Sequence, residues 1–424
     1  TMARGNLGAS STFFPGHVWM HRIGRCIGRL GRLFGQRSWM SEPGEQTPKR
    51  IKLDAQDVLP PPAHDKMPRF DRGVFLAPMV RSGALPCRLL ALEYGADLVW
   101  GPEVVDRAIM GTERRVHPST GLVEFIKDGK QVFSCHPIER PFLIYQVGSS
   151  TPENAAEAVR IVTAHDDVAG VDLNCGCPKP FSTLGGMGAN LLTMPDLLCE
   201  ILKAMRRAAP PHVSVTCKIR LLPTQAQTLD LVERIVRTRT IRALTIHCRT
   251  KPMRPREPAL LDRFRDVAAH VAKVAQETGQ DVPVVCNGDC FGVTDIPRLQ
   301  TLTGAQAFMM ARGPEANMSC FREHRECVGT VVAPKWLRYA VYFDNPFGNT
   351  KYCITQMAFT TTAGAKEHDA PRVSPLKKRE LLDMRMELNR AKSHEDMARA
   401  LRMPWPVDTS DIATWLPGRL DPRT

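Results

Sequence analysis

No stretch of this 424-residue chain approaches the ~20 consecutive apolar residues that a membrane-spanning helix needs. No membrane partner is therefore expected. Thirteen cysteines are present, but they are scattered, odd in number and mostly set in apolar strand-like runs, as at Cys217, Cys248 and Cys286. That pattern argues against a disulfide framework and for a reducing compartment. The two close pairs, Cys175/Cys177 and Cys286/Cys290, lack the doubled CxxC spacing of a structural zinc site, so no metal is expected. No internal repeat is visible. No G-x-G-x-x-G fingerprint follows the first strand, which leaves a doubly wound sheet without its main support.

Acidic residues are missing altogether between Met2 and Ser41. In the same segment Arg22, Arg25, Arg29 and Arg32 recur at helical spacing opposite Ile23, Ile27, Leu30 and Phe34, the pattern of a mitochondrial presequence. Pro48-Lys-Arg-Ile-Lys-Leu-Asp54 then resembles a short nuclear import signal. The two signals conflict. Residues 1–70 are read as a disordered basic extension, and the expected location is cytoplasmic or nuclear, with a mitochondrial form if the presequence acts. The net charge of +13 points to a polyanionic partner, nucleic acid first.

From residue 71 to 328 short apolar runs alternate with amphipathic helical segments. The expected strands are 74–79, 97–100, 142–147, 168–174, 213–219, 243–247, 282–287 and 307–310. Helices are expected at 152–164, 194–208, 228–238 and 261–278. Continuous apolar strands between helices imply parallel strands covered on the outside. Eight such units in about 250 residues predict an α/β fold, a (β/α)8 TIM barrel. Residues 329–402 read as a small all-α C-terminal domain with helices at 336–343, 351–361, 376–389 and 393–401, followed by a tail over 403–424.

In such a barrel, functional groups collect at the C-terminal ends of the strands. The strands end, in order, on Pro78-Met79, Gln146, Asn174 with Cys177, Lys218, His247 with Arg249, Asn287-Gly288-Asp289 and Ala311-Arg312-Gly313. Cys177, held between Gly176 and Pro178, is placed to give or take a proton at a pocket mouth. Gly185-Gly186-Met-Gly188 supplies backbone able to sit close to a ligand. Gly288 and Gly313 allow backbone N–H groups near an anion, with Arg312 adding charge, where this fold usually holds phosphate. With Lys218 and Gln146 facing the barrel centre, the set suits FMN.

Phe75-Leu-Ala-Pro-Met-Val-Arg81, Asn174-Cys-Gly-Cys-Pro-Lys179, Gly185-Gly-Met-Gly188, Thr216-Cys-Lys-Ile-Arg220, Ile246-His-Cys-Arg249, Asn287-Gly288 and Met310-Ala-Arg312 occur in that order. Together they resemble the signature of tRNA-dihydrouridine synthases over residues 73–360, most of all the eukaryotic members that act at position 20. The resemblance implies FMN held by Pro78, Met79, Val80, Gln146, Lys218, His247, Asn287, Gly288, Asp289, Ala311 and Arg312. It implies Cys177 as proton donor, NADPH or NADH as hydride donor and tRNA as partner. Asn174, Lys179 and Arg249 are expected to touch substrate. No obligatory protein partner is evident. Cys175 stands where the family often has an apolar residue, which sets a second thiol near Cys177 in sequence. Lys335, Arg338, Lys351, Lys377, Lys378 and Arg379 are candidates for a basic wall on the helical region. No double-stranded-RNA-binding domain follows. Two alternatives stay open, an FMN barrel reductase acting on a small enone or free pyrimidine and a catalytically silent tRNA-binding protein.

Overall fold

The run Gly-Val-Asp-Leu-Asn-Cys, Gly170–Cys175, is buried at every residue, as a strand inside a helix-covered parallel sheet must be. The computed structural model describes residues 67–360 and 375–412. The presequence-like and import-like segments lie outside the described residues. In chain order the first elements are β1 (Gly73–Leu76), α1 (Leu85–Glu93), β2 (Leu98–Trp100), β3 (Val104–Val105), α2 (Asp106–Ile109), β4 (Glu113–Val116), β5 (Val123–Lys127) and β6 (Lys130–Cys135). There follow β7 (Leu143–Gly148), α3 (Pro152–Thr163), β8 (Gly170–Cys175), α4 (Pro180–Thr183), α5 (Pro195–Ala208), β9 (Ser214–Arg220) and α6 (Gln225–Arg237). The series ends with β10 (Ala243–His247), α7 (Phe264–Glu277), β11 (Val284–Asn287), α8 (Ile296–Thr303), β12 (Ala307–Met310) and α9 (Arg312–Ala316).

Strands β1, β2, β7, β8, β9, β10, β11 and β12 pair in parallel, and the β1–β12 and β2–β7 pairings close them into a ring. This is the expected (β/α)8 barrel. β10 and β12 fall on the expected residues. β1 stops at Leu76 rather than 79; Ala77 still donates to the Met310 carbonyl at 2.8 Å, but Pro78 has no N–H to extend the ladder. Phe70, Phe75, Trp100, Ile144, Val285 and Met309 form one cluster inside the ring.

An antiparallel meander, β4–β5–β6, is inserted between β2 and β7, where the sequence pattern predicts no element. Its signal is Asp128-Gly129. Both residues take positive φ, 50° and 70°, the two-residue turn whose twist suits a hairpin. The meander is tied to the barrel through Arg88 of α1. Its guanidinium makes two bonds to the Glu139 carboxylate, at 2.8 and 2.7 Å, and one each to the carbonyls of Gly83 and Ser134. Both side chains are almost completely buried.

A π-turn at Val328–Val332 leads into α10 (Ala333–Tyr342), α11 (Phe347–Gln356), α12 (Lys378–Arg390) and α13 (His394–Ala400). These are the expected C-terminal helices. α10 packs on α1, with Trp336 and Tyr339 buried. Glu93 of α1 lies at that contact, 3.2 Å from both Lys335 Nζ and the Tyr339 hydroxyl. Residues 403–412 do not run free. Val407 and Ile412 join the main core, and Arg338 of α10 donates to the Asp408 carbonyl at 2.8 Å. No helix among the described residues is long and apolar enough to cross a membrane.

Removing one partner of a buried ion pair strands the other charge. Arg88→Met is expected to cost about 3–5 kcal/mol, read as a lower urea midpoint, and adding Glu139→Leu should recover part of the loss. An unchanged midpoint in the single variant would show that Arg88 does not hold the meander.

Candidate active site

Side chains alternate across a strand, so in β7, β8 and β9 the residues Gln146, Asp172, Asn174, Thr216 and Lys218 turn inward together. The register places Gln146 beside Asp172 and Asp172 beside Thr216, and one step further along the strands Asn174 lies beside Lys218. Asp172 is fully buried. Its carboxylate accepts from Gln146 Nε2 at 2.8 Å and from the Thr216 hydroxyl at 2.7 Å. Burial pushes its pKa up to about 6 against those donors. Above this layer stands Lys218, 8% exposed, whose Nζ makes no hydrogen bond to any described residue. Burial, with Arg220 adding to it, holds its pKa down to about 8. The Oε1 of Gln146 is likewise unpaired among the described residues. Neither atom is among the fully buried unsatisfied ones, so largely buried side chains turn one ammonium and one acceptor to the open mouth, where an outside molecule can meet both.

Cys177 lies two residues past β8 and is partly exposed. Asn174 builds its turn, accepting from the backbone N–H groups of Gly176 at 2.9 Å and Cys177 at 3.1 Å. The Oδ1 of Asn174, a residue expected at substrate, is engaged in shaping this loop. The loop closes on itself: Ala189 N–H donates to the Cys177 carbonyl at 2.9 Å. A Cβ on Gly188, where φ is +60°, would stand 2.6 Å from that carbonyl oxygen, so only glycine fits. Lys179 stands at the N-terminal boundary of α4, without a side-chain capping bond, and is exposed.

Glu103, in the loop after β2, is a site residue that strand-end reading passes over. Its Oε1 accepts from the Ser182 hydroxyl at 3.0 Å, and burial raises its pKa. Burial raises the Cys177 thiol too, and the nearby Glu103 charge pushes the same way. The thiol thus stays protonated at neutral pH. Pro102-Glu103 beside a barrel strand end was the available signal, hidden because β2 continues almost at once into β3. Cys175 points the other way. It is fully buried in the main core, with its sulfur 3.7 Å from Cys217, so its role is packing.

At the opposite side of the mouth His247, Arg249, Asn287, Gly288, Asp289, Ala311 and Arg312 come together. Asp289 sits at φ +50° and receives both Arg249 and Arg312, plus the Ala259 N–H at 2.7 Å. Arg249 is 3% exposed and also binds the Glu257 carbonyl at 2.9 Å. Arg312 lies over the Phe291 ring, 4.7 Å from its centroid. Burial and the surrounding Lys218, Arg220, Arg249 and Arg312 keep His247 neutral. Asn287 donates to the Met309 carbonyl at 2.8 Å. Gly313 has a different reason for being glycine than closeness to an anion: a Cβ there would stand 2.1 Å from the Phe291 carbonyl oxygen. In the loop after β1, Pro78 and Met79 are half-buried and Val80 is exposed.

The basic wall expected on the helical region is partly consumed inside the protein. Lys335 pairs with Glu93 and Glu326, Arg338 with Asp411, and Lys351 donates to the Ala391 carbonyl at 2.7 Å. Lys377, Lys378 and Arg379 at the start of α12 remain exposed.

A family model described as dihydrouridine synthase (Dus) matches residues 75–359. The chain is 46% identical over 295 residues to a tRNA-dihydrouridine(20) synthase of Schizosaccharomyces pombe, covering 68% of this chain and 60% of that relative's length. It is 36% identical to the like-named protein of Saccharomyces cerevisiae, covering 66% of this chain and 76% of the relative. It is 30% identical to the tRNA-dihydrouridine(20a/20b) synthase of the same yeast, covering 59% and 62%. All three names carry NAD(P)+. The chain belongs to the dihydrouridine synthase family.

Proposed function

We propose that this chain reduces the C5–C6 double bond of a uridine in the D-loop of tRNA, at position 20, using FMN and taking electrons from NADPH or NADH. The observation that carries the reading is geometric: the partly exposed Cys177 thiol just past β8 and the largely buried Lys218 at the end of β9 stand at one barrel mouth. The names of the relatives agree with it.

FMN fits the residues present. Gln146 and Lys218 offer one acceptor and one cation to the edge of a flat ring system, and the backbone of Asn287-Gly288 and Ala311-Arg312 offers N–H groups to a phosphate. The phosphate would share Arg312 with Asp289, which already neutralises part of that charge. When bound, the flavin supplies the hydride that adds to C6 of the uracil ring. Cys177 gives its thiol proton to C5, and the thiolate left on sulfur is reprotonated before the next turnover. A nearby carboxylate suits this role, because an acid must keep its proton until it is used. His247 stays neutral and holds position without competing as a proton source. Arg249, locked on Asp289, closes the mouth on that side. Lys179 and the Lys377–Arg379 cluster present charge to RNA phosphates. The target base must leave its stack to reach the thiol. We assign residues 71–328 to the catalytic domain and 329–402 to a tRNA-binding wall.

Cys177→Ala is expected to lower tRNA-dependent dihydrouridine formation by about 10²–10⁴-fold while FMN absorbance stays with the protein. Cys175→Ala should lower stability and leave turnover near wild type. Full turnover in Cys177→Ala, or turnover of free uracil without any benefit from tRNA, overturns the proposal. Glu103→Gln removes a negative neighbour and should move the pH profile of Cys177 alkylation toward lower pH, followed by mass spectrometry of the peptide. An unmoved profile would mean that Glu103 does not set the thiol.

A further inference from the structure

An amide side chain can offer a ligand either its N–H or its oxygen, and which one it offers depends on what holds the other. For Gln146 the holder is Asp172. A carboxylate that already accepts from the Thr216 hydroxyl at 2.7 Å has only acceptor character to give. The Gln146 nitrogen must therefore face it, at 2.8 Å. Both side chains are buried, Gln146 at 3% and Asp172 at 0% exposure, so water cannot easily take the place of either partner. The consequence lies on the free end of the amide. Gln146 Oε1 has no partner in the described chain, and neither has Lys218 Nζ, whose Cα is in register beside Asn174, two residues up the strand from Asp172. The mouth thus presents one acceptor and one cationic donor.

We infer that Asp172 is a positioning residue that fixes the Gln146 amide with its oxygen toward the mouth, which makes the site selective for a ligand edge carrying an N–H donor beside an acceptor. Such an edge is the imide of a flavin's pyrimidine ring. The inference rests on the proposed flavin site and adds the residue that sets its polarity. Asp172 does not touch the ligand in this scheme; it orients the ligand's edge through Gln146, and its charge also helps Lys218 keep its proton. Thr216 and Lys218 keep the carboxylate supplied with charge-compatible neighbours. Thr216 also makes the role testable, because a hydroxyl can turn from donor to acceptor. Asp172→Asn would then keep an oxygen for Gln146 and give its own N–H to Thr216, preserving the amide orientation. Asp172→Ala would release it.

The test is a titration of FMN into the full-length apoprotein, followed by quenching of flavin fluorescence, for wild type, Gln146→Ala, Asp172→Ala, Asp172→Asn and the double Ala variant. Each single Ala change is expected to weaken FMN binding by about tenfold, the scale of one hydrogen bond. The double variant should be no weaker than Asp172→Ala alone, since the oriented amide that Gln146→Ala removes is already lost there. Asp172→Asn should bind within about threefold of wild type. Thermal unfolding of each apoprotein separates binding from stability. Additive losses in the double variant, or an Asp172→Ala protein that loses stability but binds FMN as wild type does, overturn the inference and leave the proposed function standing. A wild-type protein that binds no FMN overturns both.

Discussion

The mouth of this barrel depends on one constraint, the two-residue alternation of side chains around a closed parallel ring. Closure leaves no edge, so an inward residue can pack or pair only with another inward residue or with a molecule bound at the mouth. One set turns in: Gln146, Asp172, Asn174, Lys218, His247 and Asn287. A shift of one residue would exchange them for Tyr145, Leu173, Cys175, Ile219, Ile246 and Cys286, which are buried in the main core. Register carries the same weight, because the Gln146–Asp172–Thr216 row exists only where three neighbouring strands place those residues side by side.

The second consequence is electrostatic. Lys218, Arg220, His247, Arg249 and Arg312 crowd one region, and like charges in a poorly solvated site repel. The chain relieves this in three ways. Asp289 takes two guanidinium groups, His247 gives up its proton, and Lys218 holds its own less tightly. What is left over is Lys218, a cation without a fixed partner among the described residues. On the other side burial raises the Cys177 thiol, and the Glu103 charge pushes the same way. The mouth is therefore divided into a half that retains a proton and a half that attracts negative charge, and the hydride-and-proton addition proposed above would use both.

Much of this was legible in the sequence, for reasons that are themselves physical. Doubly buried strands must be continuous apolar runs, so the barrel strands announce themselves, and the polar residue that ends such a run is exceptional enough to notice. Asn174, Lys218 and His247 were found that way. The meander was missed because Glu113–Val116 is mostly exposed and has no apolar periodicity, although Asp128-Gly129 marked its second turn. Glu103 was missed because it reaches the candidate site only through Ser182 and the Cys177 loop, 79 residues away for the hydroxyl contact. Spacing cannot reveal such a contact. The same limit misplaced Lys335 and Arg338: a basic residue on a helix reads as a solvated face until the fold brings Glu93 or Asp411 against it.

The helical region therefore does more to the barrel than its sequence indicates. Arg81 ends the loop that carries Pro78, Met79 and Val80, and it sits at φ +71°. That conformation is unfavourable for a side chain with a Cβ and persists only where surroundings impose it. α11 supplies those surroundings: Asn349 Nδ2 donates to the Arg81 carbonyl at 2.8 Å, Cys353 lies on the same oxygen, and the Arg81 guanidinium rests over the Tyr352 ring. From the barrel side, Ser82 donates to Glu315 of α9 at 2.7 Å. The loop is held from both ends, so one wall of the mouth is set by residues more than 260 positions further along the chain. A helical domain with no contact to these loops could be loosely attached. One that shapes the mouth must be docked firmly, and the buried Glu93, packed against α10 beneath Lys335 and Tyr339, is what such docking requires.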